Sequence, residues 1–330
     1  MPKKIRVAMI GCGGNARHHM SQLAKISGVK IVGLCDPSPK AIEAAQQIEG
    51  LAKVPVFTDH KKMLKEVASD AIEISTPHTQ HARQILDSLA AGRHVMCEKP
   101  LVCTVADCKK VIKARDKSGR ILMTAYQRHF QAPYRYCREV IQSGKYGKVN
   151  FTSCLQSQNW FRGCVLTKTW RSQLALSGGG QLNDSGSHLL DIMMWMTGQQ
   201  PAEVFAQIDN LGAEVDILTA MTCRTATGAL MSFSVVGHSV NWLEDITIWM
   251  EEGTLAIRGS TVTEWAGTER AREVPAEELG RSWSPDLNFI AAIRGKEEIQ
   301  TPPEEFLKVI QLTEAAWKSG ASGVPAKVKY

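Results

Sequence analysis

The sequence predicts an α/β chain in two domains, residues 1–125 and 126–330. Three observations carry this. Strands and helices alternate through the first third, the pattern of a parallel sheet covered by helices on both faces. After about residue 125 strands follow one another through short turns, which favours a largely antiparallel sheet. The length, 330 residues, also exceeds what one hydrophobic core usually serves.

The elements follow in order. Ile5–Ile10 is an apolar run that stops at Gly11 and reads as a strand. Apolar residues at helical spacing predict a helix over 16–26, ending near Gly28. Val29–Cys35 is the next strand, stopped by Asp36-Pro37, and a helix follows over 39–48. Residues 71–75, His94–Cys97 and 121–125 are further strands, separated by helical stretches near 60–68, 79–91 and 104–117. In the second domain a helix is expected over 133–142, closed by Gly144. Strands are expected at 148–158, 203–209, 215–224, 228–236, 244–250 and 254–258, with turns at Thr227-Gly228 and Glu252-Gly253. One strong helix, 184–196, interrupts them, and late helices fit 286–293 and 303–319. Segment 259–284 is loop-rich and receives no element.

Composition excludes several classes. Hydrophobic residues make up 44% and charged residues 22%, the balance of a soluble globular protein rather than a disordered chain. The net charge of +6 is diffuse, so nucleic acid is not an expected partner. The longest apolar runs, Ile192 to Met196 and Phe289 to Ile293, fall far below the roughly 20 residues of a membrane span. The basic start precedes only Val7 to Ile10, too short for a signal-peptide core of about 7–15 residues. Nine scattered cysteines with no C-x-x-C spacing read as reduced thiols of a cytoplasmic protein.

Gly11-Cys12-Gly13-Gly14-Asn15-Ala16 lies between the first strand and the first helix. Gly11 suits the tight turn, Gly13 lets backbone approach a pyrophosphate, and Ala16 is small enough for helix–sheet packing. The helix N-terminus offers free N–H groups to the anion. Asp36 ends the second strand 20 residues after Ala16, where an acid can accept both ribose hydroxyls and repel a 2′-phosphate. NAD is therefore expected in preference to NADP, with Asp36 as a plain turn-former the simpler alternative.

Glu98-Lys99-Pro100 directly follows the apolar strand His94–Cys97, at the strand end where open parallel sheets bind ligands. A lysine there can carry a substrate proton. The run from Gly178-Gly179-Gly180 through Asp191 is the most distinctive stretch. Asp184, His188 and Asp191 fall at i, i+4 and i+7 of the expected helix and share a face opposite Leu189, Ile192, Met193 and Met196. An Asp–His pair can hold an imidazole as a base. Asp184 could also be a helix N-cap, and Asp191 could bond loop backbone. No second ligand cluster accompanies the pair, so no metal is expected.

Together these motifs resemble the Gfo/Idh/MocA oxidoreductases. The resemblance rests on GCGGNARHH at 11–19, STPHTQH at 75–81, EKP at 98–100, YQRHF at 126–130 and the run at 178–191. It implies an N-terminal doubly wound Rossmann domain and a C-terminal α/β domain with a large, mainly antiparallel open sheet. That sheet would bind substrate and form a homodimer or homotetramer. Lys99, Asp184 and His188 match the catalytic residues. Gly11, Gly13, Gly14, Asn15, Ala16, Asp36, Ser75, Thr76, Pro77, His78, His81, Glu98, Lys99 and Arg128 match the cofactor side. His78 stands where many members have Asn. Gln127, Trp160, Trp170 and Arg171, with Lys99, Asp184 and His188, are the substrate-side candidates. A tryptophan face suits sugar C–H groups, and an arginine suits hydroxyls or a carboxylate.

The implied reaction moves a hydride between a nicotinamide and a secondary alcohol of a sugar, polyol or derivative. His188 or Lys99 would take the hydroxyl proton, with Asp184 orienting them. The resemblance admits two other classes. One is a glycoside hydrolase with tightly bound, recycled NAD. The other is a non-catalytic dinucleotide-sensing regulator, disfavoured because Lys99, Asp184 and His188 are all present.

Overall fold

The protein is described by a computed structural model covering residues 4–268 and 270–330. The chain divides into two compact units, Met1–Gln127 with Trp283–Phe306 and Arg128–Ser282 with Leu307–Tyr330. Its strands are β1 (Ile5–Ile10), β2 (Val29–Cys35), β3 (Val56–Phe57), β4 (Ala71–Ile74), β5 (His94–Cys97), β6 (Leu122–Thr124), β7 (Val149–Ser157), β8 (Pro201–Asp209), β9 (Leu218–Thr225), β10 (Leu230–Val236), β11 (Leu243–Met250), β12 (Gly253–Arg258), β13 (Thr261–Ala266), β14 (Arg272–Glu273) and β15 (Ala326–Lys327). Its helices are α1 (Gly14–Ala24), α2 (Pro39–Gln46), α3 (His60–Glu66), α4 (His81–Ala90), α5 (Val105–Ser118), α6 (Ala132–Gln142), α7 (Leu174–Ser177), α8 (Gly186–Thr197), α9 (Ala276–Leu279), α10 (Pro285–Ile293) and α11 (Pro303–Ser322).

The first unit is a parallel sheet of order β3-β2-β1-β4-β5-β6. The order reverses between β1 and β4, the switch point beyond which such sheets bind dinucleotides. Local signals set its helices. Ser38 caps α2 by accepting the Ala41 N–H, Thr104 caps α5 by accepting the Asp107 N–H, and Gly119 ends α5 in the left-handed conformation. The late segment joins this unit, although it lies within the range read as the second domain. Ser284 caps α10, whose Phe289 and Ile290 are buried. Thr301 and Thr124 exchange hydrogen bonds, Thr124 N–H to Thr301 O at 3.0 Å and Thr301 Oγ1 to Thr124 O at 2.6 Å.

The second unit is a nine-stranded sheet of order β14-β13-β12-β11-β7-β10-β9-β8-β15. Only β7 and β10 pair in parallel; the other pairs are antiparallel. Two expectations change here. Segment 259–284 contains β13, β14 and α9. On β13 the inward residues are Val262 and Glu264, so a charge broke the alternation that would have marked the strand. The helix expected at 184–196 begins at Gly186, and every residue of α8 is buried rather than only one face. A helix apolar on nearly every side is a core helix. Within it, Asp191 accepts from His129 Nε2 at 2.8 Å.

Glu264 is the chief ionic anchor of the β12–β14 end of the sheet. It accepts Lys145 Nζ at 2.8 Å, Tyr146 OH at 2.5 Å, Arg272 Nη2 at 2.7 Å and Tyr136 OH at 3.1 Å. Burial alone would raise its pKa, but these donors hold it down to about 2. A depressed carboxylate stabilises above its unfolded value, and that stabilisation disappears as pH falls through the folded value. Glu264→Gln is expected to cost about 3 kcal/mol at pH 7. Thermal melts from pH 7 to 2 should show this difference shrinking below about pH 4.5. A difference that stays constant across that range would sink the assignment.

Candidate active site

The glycine loop is built as a dinucleotide cradle. Gly11 has a φ of +101°, and a Cβ there would lie 2.3 Å from the Ser75 carbonyl oxygen. Only glycine fits. At Gly13 and Gly14 a Cβ would meet nothing within 4 Å, so the backbone itself faces outward. Helix α1 starts there with no side-chain cap and no acid in its first turn. Its first N–H groups are thus available to a pyrophosphate. Asn15 is exposed, while Ala16 is fully buried against the sheet. Asp36 accepts the Cys12 N–H at 2.8 Å and the Ser38 N–H at 2.8 Å. Each oxygen keeps a second lone pair for a ribose hydroxyl. The residues therefore fit NAD.

Ser75, Thr76 and Pro77 follow β4 and are partly exposed. The Ser75 N–H bonds Ile10 O at 2.8 Å, which brings this loop beside Gly11. Thr76 Oγ1 donates to Gln84 on α4 at 2.6 Å, and His78 is buried with its ring 5.8 Å from that of His81. His81 has another task than the cofactor contact expected for it. Its side chain is fully buried, with Nδ1 2.8 Å from Pro100 O and Nε2 2.9 Å from Thr76 O. Burial lowers its pKa against the pull of both carbonyls. It ties the two loops together.

Lys99 leaves the end of β5. Glu98 N–H bonds Ile74 O at 2.8 Å, and Ala125 N–H bonds Cys97 O at 2.8 Å, so the strand end is held from both neighbours. Glu98 is half-buried. Its Oε1 lies 3.2 Å from His19 Nε2 and its Oε2 accepts the Lys99 N–H at 3.0 Å.

In the second unit the structure gathers most of the substrate-side candidates. Asp184 lies in the turn before α8 and is buried; Ser185, not Asp184, holds the N-cap position. Asp184 Oδ2 accepts Trp160 Nε1 at 3.0 Å and Arg171 Nε at 3.0 Å. Arg171 stacks over the Trp170 ring, 4.4 Å from its centroid. His188 follows in the first turn of α8, with its N–H on Ser185 O at 3.2 Å. Trp160, Trp170, Arg171 and Asp184 thus come together from three separate stretches, and His188 follows one turn along the chain.

Two expected ligands behave differently. Arg128 is buried and bound to Glu244, which also accepts Tyr134 OH at 2.6 Å and Gln156 Nε2 at 3.1 Å. Through Nη2 the guanidinium anchors its own segment. Gln127 is exposed.

The structure also shows what holds the glycine run. Asp216 accepts the Gly180 N–H at 3.0 Å, the Leu182 N–H at 2.7 Å and Trp317 Nε1 at 3.0 Å. A Cβ on Gly180 would lie 2.0 Å from Asp216 O, and one on Gly179 would lie 2.6 Å from the Trp317 ring. The glycine run is therefore an account of close packing rather than of flexibility. Glu244 carried no local signal, because its partner Arg128 lies 116 residues away. Among the described residues no group of three or more His, Cys, Asp or Glu side chains could hold a metal ion. Nor, among them, is any helix long and apolar enough to cross a membrane.

Comparison with known proteins gives the geometry a family. Residues 5–126 match the oxidoreductase family with an NAD-binding Rossmann fold, and residues 134–256 match the Gfo/Idh/MocA C-terminal domain. The chain is 25% identical to D-apiose dehydrogenase of Paraburkholderia graminis, over 99% of this chain and 90% of that one. It is 30% identical to D-glucoside 3-dehydrogenase of Escherichia coli, over 59% of this chain and 54% of the relative. The crystal structure of the WlbA dehydrogenase from Bordetella pertussis in complex with NADH and UDP-GlcNAcA superposes with a TM-score of 0.88 at 26% identity, covering 99% of this chain and 98% of that one. With its six-stranded sheet in the dinucleotide-binding order and both family domains matched, this chain belongs to the Gfo/Idh/MocA family of NAD-binding oxidoreductases.

Proposed function

We propose that the protein oxidises a secondary alcohol of a sugar or polyol, or runs the reverse reduction. The observation that carries this reading is the Trp160–Asp184–Arg171 assembly one turn before His188. It offers aromatic faces for C–H groups, charged donors for hydroxyls and an imidazole for the proton. The names of the D-apiose and D-glucoside dehydrogenases support a sugar-type substrate.

The glycine loop and Asp36 would hold NAD, which when bound would supply the hydride acceptor. The chain's own residues handle the proton. His188 takes it from the reacting hydroxyl and releases it to solvent, and Lys99 is the second proton-carrying candidate. Asp184, neutralised in part by Arg171 and fixed by Trp160, orients the imidazole and compensates its charge. Trp170 and Arg171 meet the sugar ring. Ser75, Thr76, Pro77 and His78 shape the cofactor loop.

The test is absorbance at 340 nm with NAD and a panel of sugars, polyols and aryl glycosides, with leaving-group release followed in parallel. NADH growing in step with substrate loss supports the dehydrogenase. Leaving-group release without NADH would overturn it in favour of a redox-cycling glycosidase. NAD binding with no turnover on any compound would favour a sensor.

We further propose a cytoplasmic homodimer or homotetramer. None of the nine cysteines is joined in a disulfide, which accords with a reducing compartment. One face of the nine-stranded sheet carries Trp249, Phe151 and Leu230 side by side, with Leu243 at the other end of β11 and Phe205 out on β8, each more than a third exposed. Such an apolar face is the kind that oligomers cover. Phe151→Lys with Trp249→Lys is expected to reduce the mass seen by light scattering to that of a single chain. A wild-type protein already monomeric at micromolar concentration would end the proposal.

A further inference from the structure

The motif at 11–19 ends in His18-His19, and the proposed reaction makes no use of His19. It lies on the inner face of α1 with Ala16, Met20 and Leu23 and is 4% exposed. Its Nδ1 is 2.9 Å from Asp286 Oδ1, on α10, and its Nε2 is 3.2 Å from Glu98 Oε1. A neutral imidazole has one N–H and can serve one of these carboxylates; an imidazolium serves both. Burial alone would lower the pKa of the ring, but the hydrogen bonds to Asp286 and Glu98 raise it well above its usual value. Glu98, which burial would raise, is held below its ordinary value by His19 and by the Lys99 charge.

The remaining neighbours fit this charge state. Glu73, fully buried on β4, accepts Ser75 Oγ at 2.5 Å, and burial pushes its carboxyl up to about 8. It stays neutral at pH 7, which spares the cluster a third negative charge. Cys12 and Cys97, also close to Glu73, have thiols raised by burial and stay neutral. One imidazolium then faces two carboxylates, Glu98 and Asp286. Continuous contacts run from Asp286 through His19 and Glu98 to the Lys99 N–H.

We propose that His19 is a positioning residue for Lys99: clamped by Asp286, it keeps Glu98 folded onto the Lys99 peptide and so fixes the backbone from which the lysine projects. The proposal rests on the assignment of Lys99 to the proton step. Removing the ring takes from Glu98, a half-buried carboxylate, the partner that holds its Oε1, so that side chain must reorient.

The experiment compares the pH–rate profile of Lys99 acetylation by a water-soluble succinimidyl acetate in the wild-type protein and in His19→Ala, read by peptide mass spectrometry. The Lys99 profile is expected to move by about half a pH unit or more, while exposed Lys110 keeps its own. NAD affinity is expected to stay within about threefold, and kcat on the best panel substrate to fall about 10- to 100-fold. Asp286→Asn, which preserves shape, should move the profile the same way by a smaller amount, and it replaces His19→Ala should that variant not fold. An unmoved Lys99 profile in a folded variant overturns the proposal. Lys99→Met is measured alongside. Normal turnover there removes the reading of Lys99 as a proton group but leaves the acetylation result to judge His19. Slow turnover with an unmoved profile removes the role of His19 alone.

Discussion

Lys99→Met is expected to lower kcat by about 10²–10⁴, or roughly 3–5 kcal/mol of barrier, and to leave NAD affinity within about threefold. Methionine keeps the length of the side chain and removes the ammonium. The backbone that carries it does not depend on that ammonium. Its neighbours are tied by Glu98 N–H to Ile74 O, Ala125 N–H to Cys97 O, and His81 to Pro100 O. The cradle residues Gly11, Gly13 and Asp36 belong to other loops, so cofactor binding survives. Steady-state rates with titration of NAD by fluorescence quenching separate the two effects. Turnover near the wild-type rate would remove Lys99 from the chemistry.

Gly180→Ala should be the most damaging methyl group that can be added to the second unit. Its Cβ would lie 2.0 Å from Asp216 O and 2.5 Å from Asp216 N, both backbone atoms that no rotamer can move. The same segment spends three N–H groups on Asp216, those of Gly180, Gln181 and Leu182. Gly180 O in turn accepts the Asp184 N–H at 2.9 Å, so displacement of the loop pulls Asp184 from Trp160 and Arg171. A loss of about 3–5 kcal/mol is expected, with activity lost as well. Gly198→Ala is the control. That glycine has a φ of +67° at the end of α8, yet a Cβ there meets nothing within 4 Å. It should cost only about 1 kcal/mol. Urea unfolding of the two variants compares them directly. Equal losses would show that backbone conformation, not contact with Asp216, explains the glycine run.

Several features were legible before any coordinates because their causes are local. The strands Ile5–Ile10 and Val29–Cys35 are apolar runs stopped by Gly11 and Asp36-Pro37, and the structure ends them at those places. The glycine loop is a local object too: a positive φ at Gly11 and an open face at Gly13 follow from residue type and position. Asp184 and His188 were legible as a pair, although the helix begins after Asp184, because the glycine run holds that residue in a turn. Strand β13 was hidden because Glu264 occupies an inward position and cancels the apolar alternation.

What sequence alone determined is therefore the kind of fold, the dinucleotide loop, the family motifs and the residue types offered to the chemistry. Those depend on hydrophobic period, turn residues and short spacings, all of which act within a few residues. Tertiary structure decided which charges are spent on holding the protein together. It assigned Arg128 to Glu244, Asp191 to His129, His81 to two loop carbonyls and Glu98 to His19. The reason is physical: a buried charge or polar atom must find a partner, and that partner is chosen by proximity in the folded chain. His19 and Asp286, 267 residues apart, meet only because α10 packs on α1.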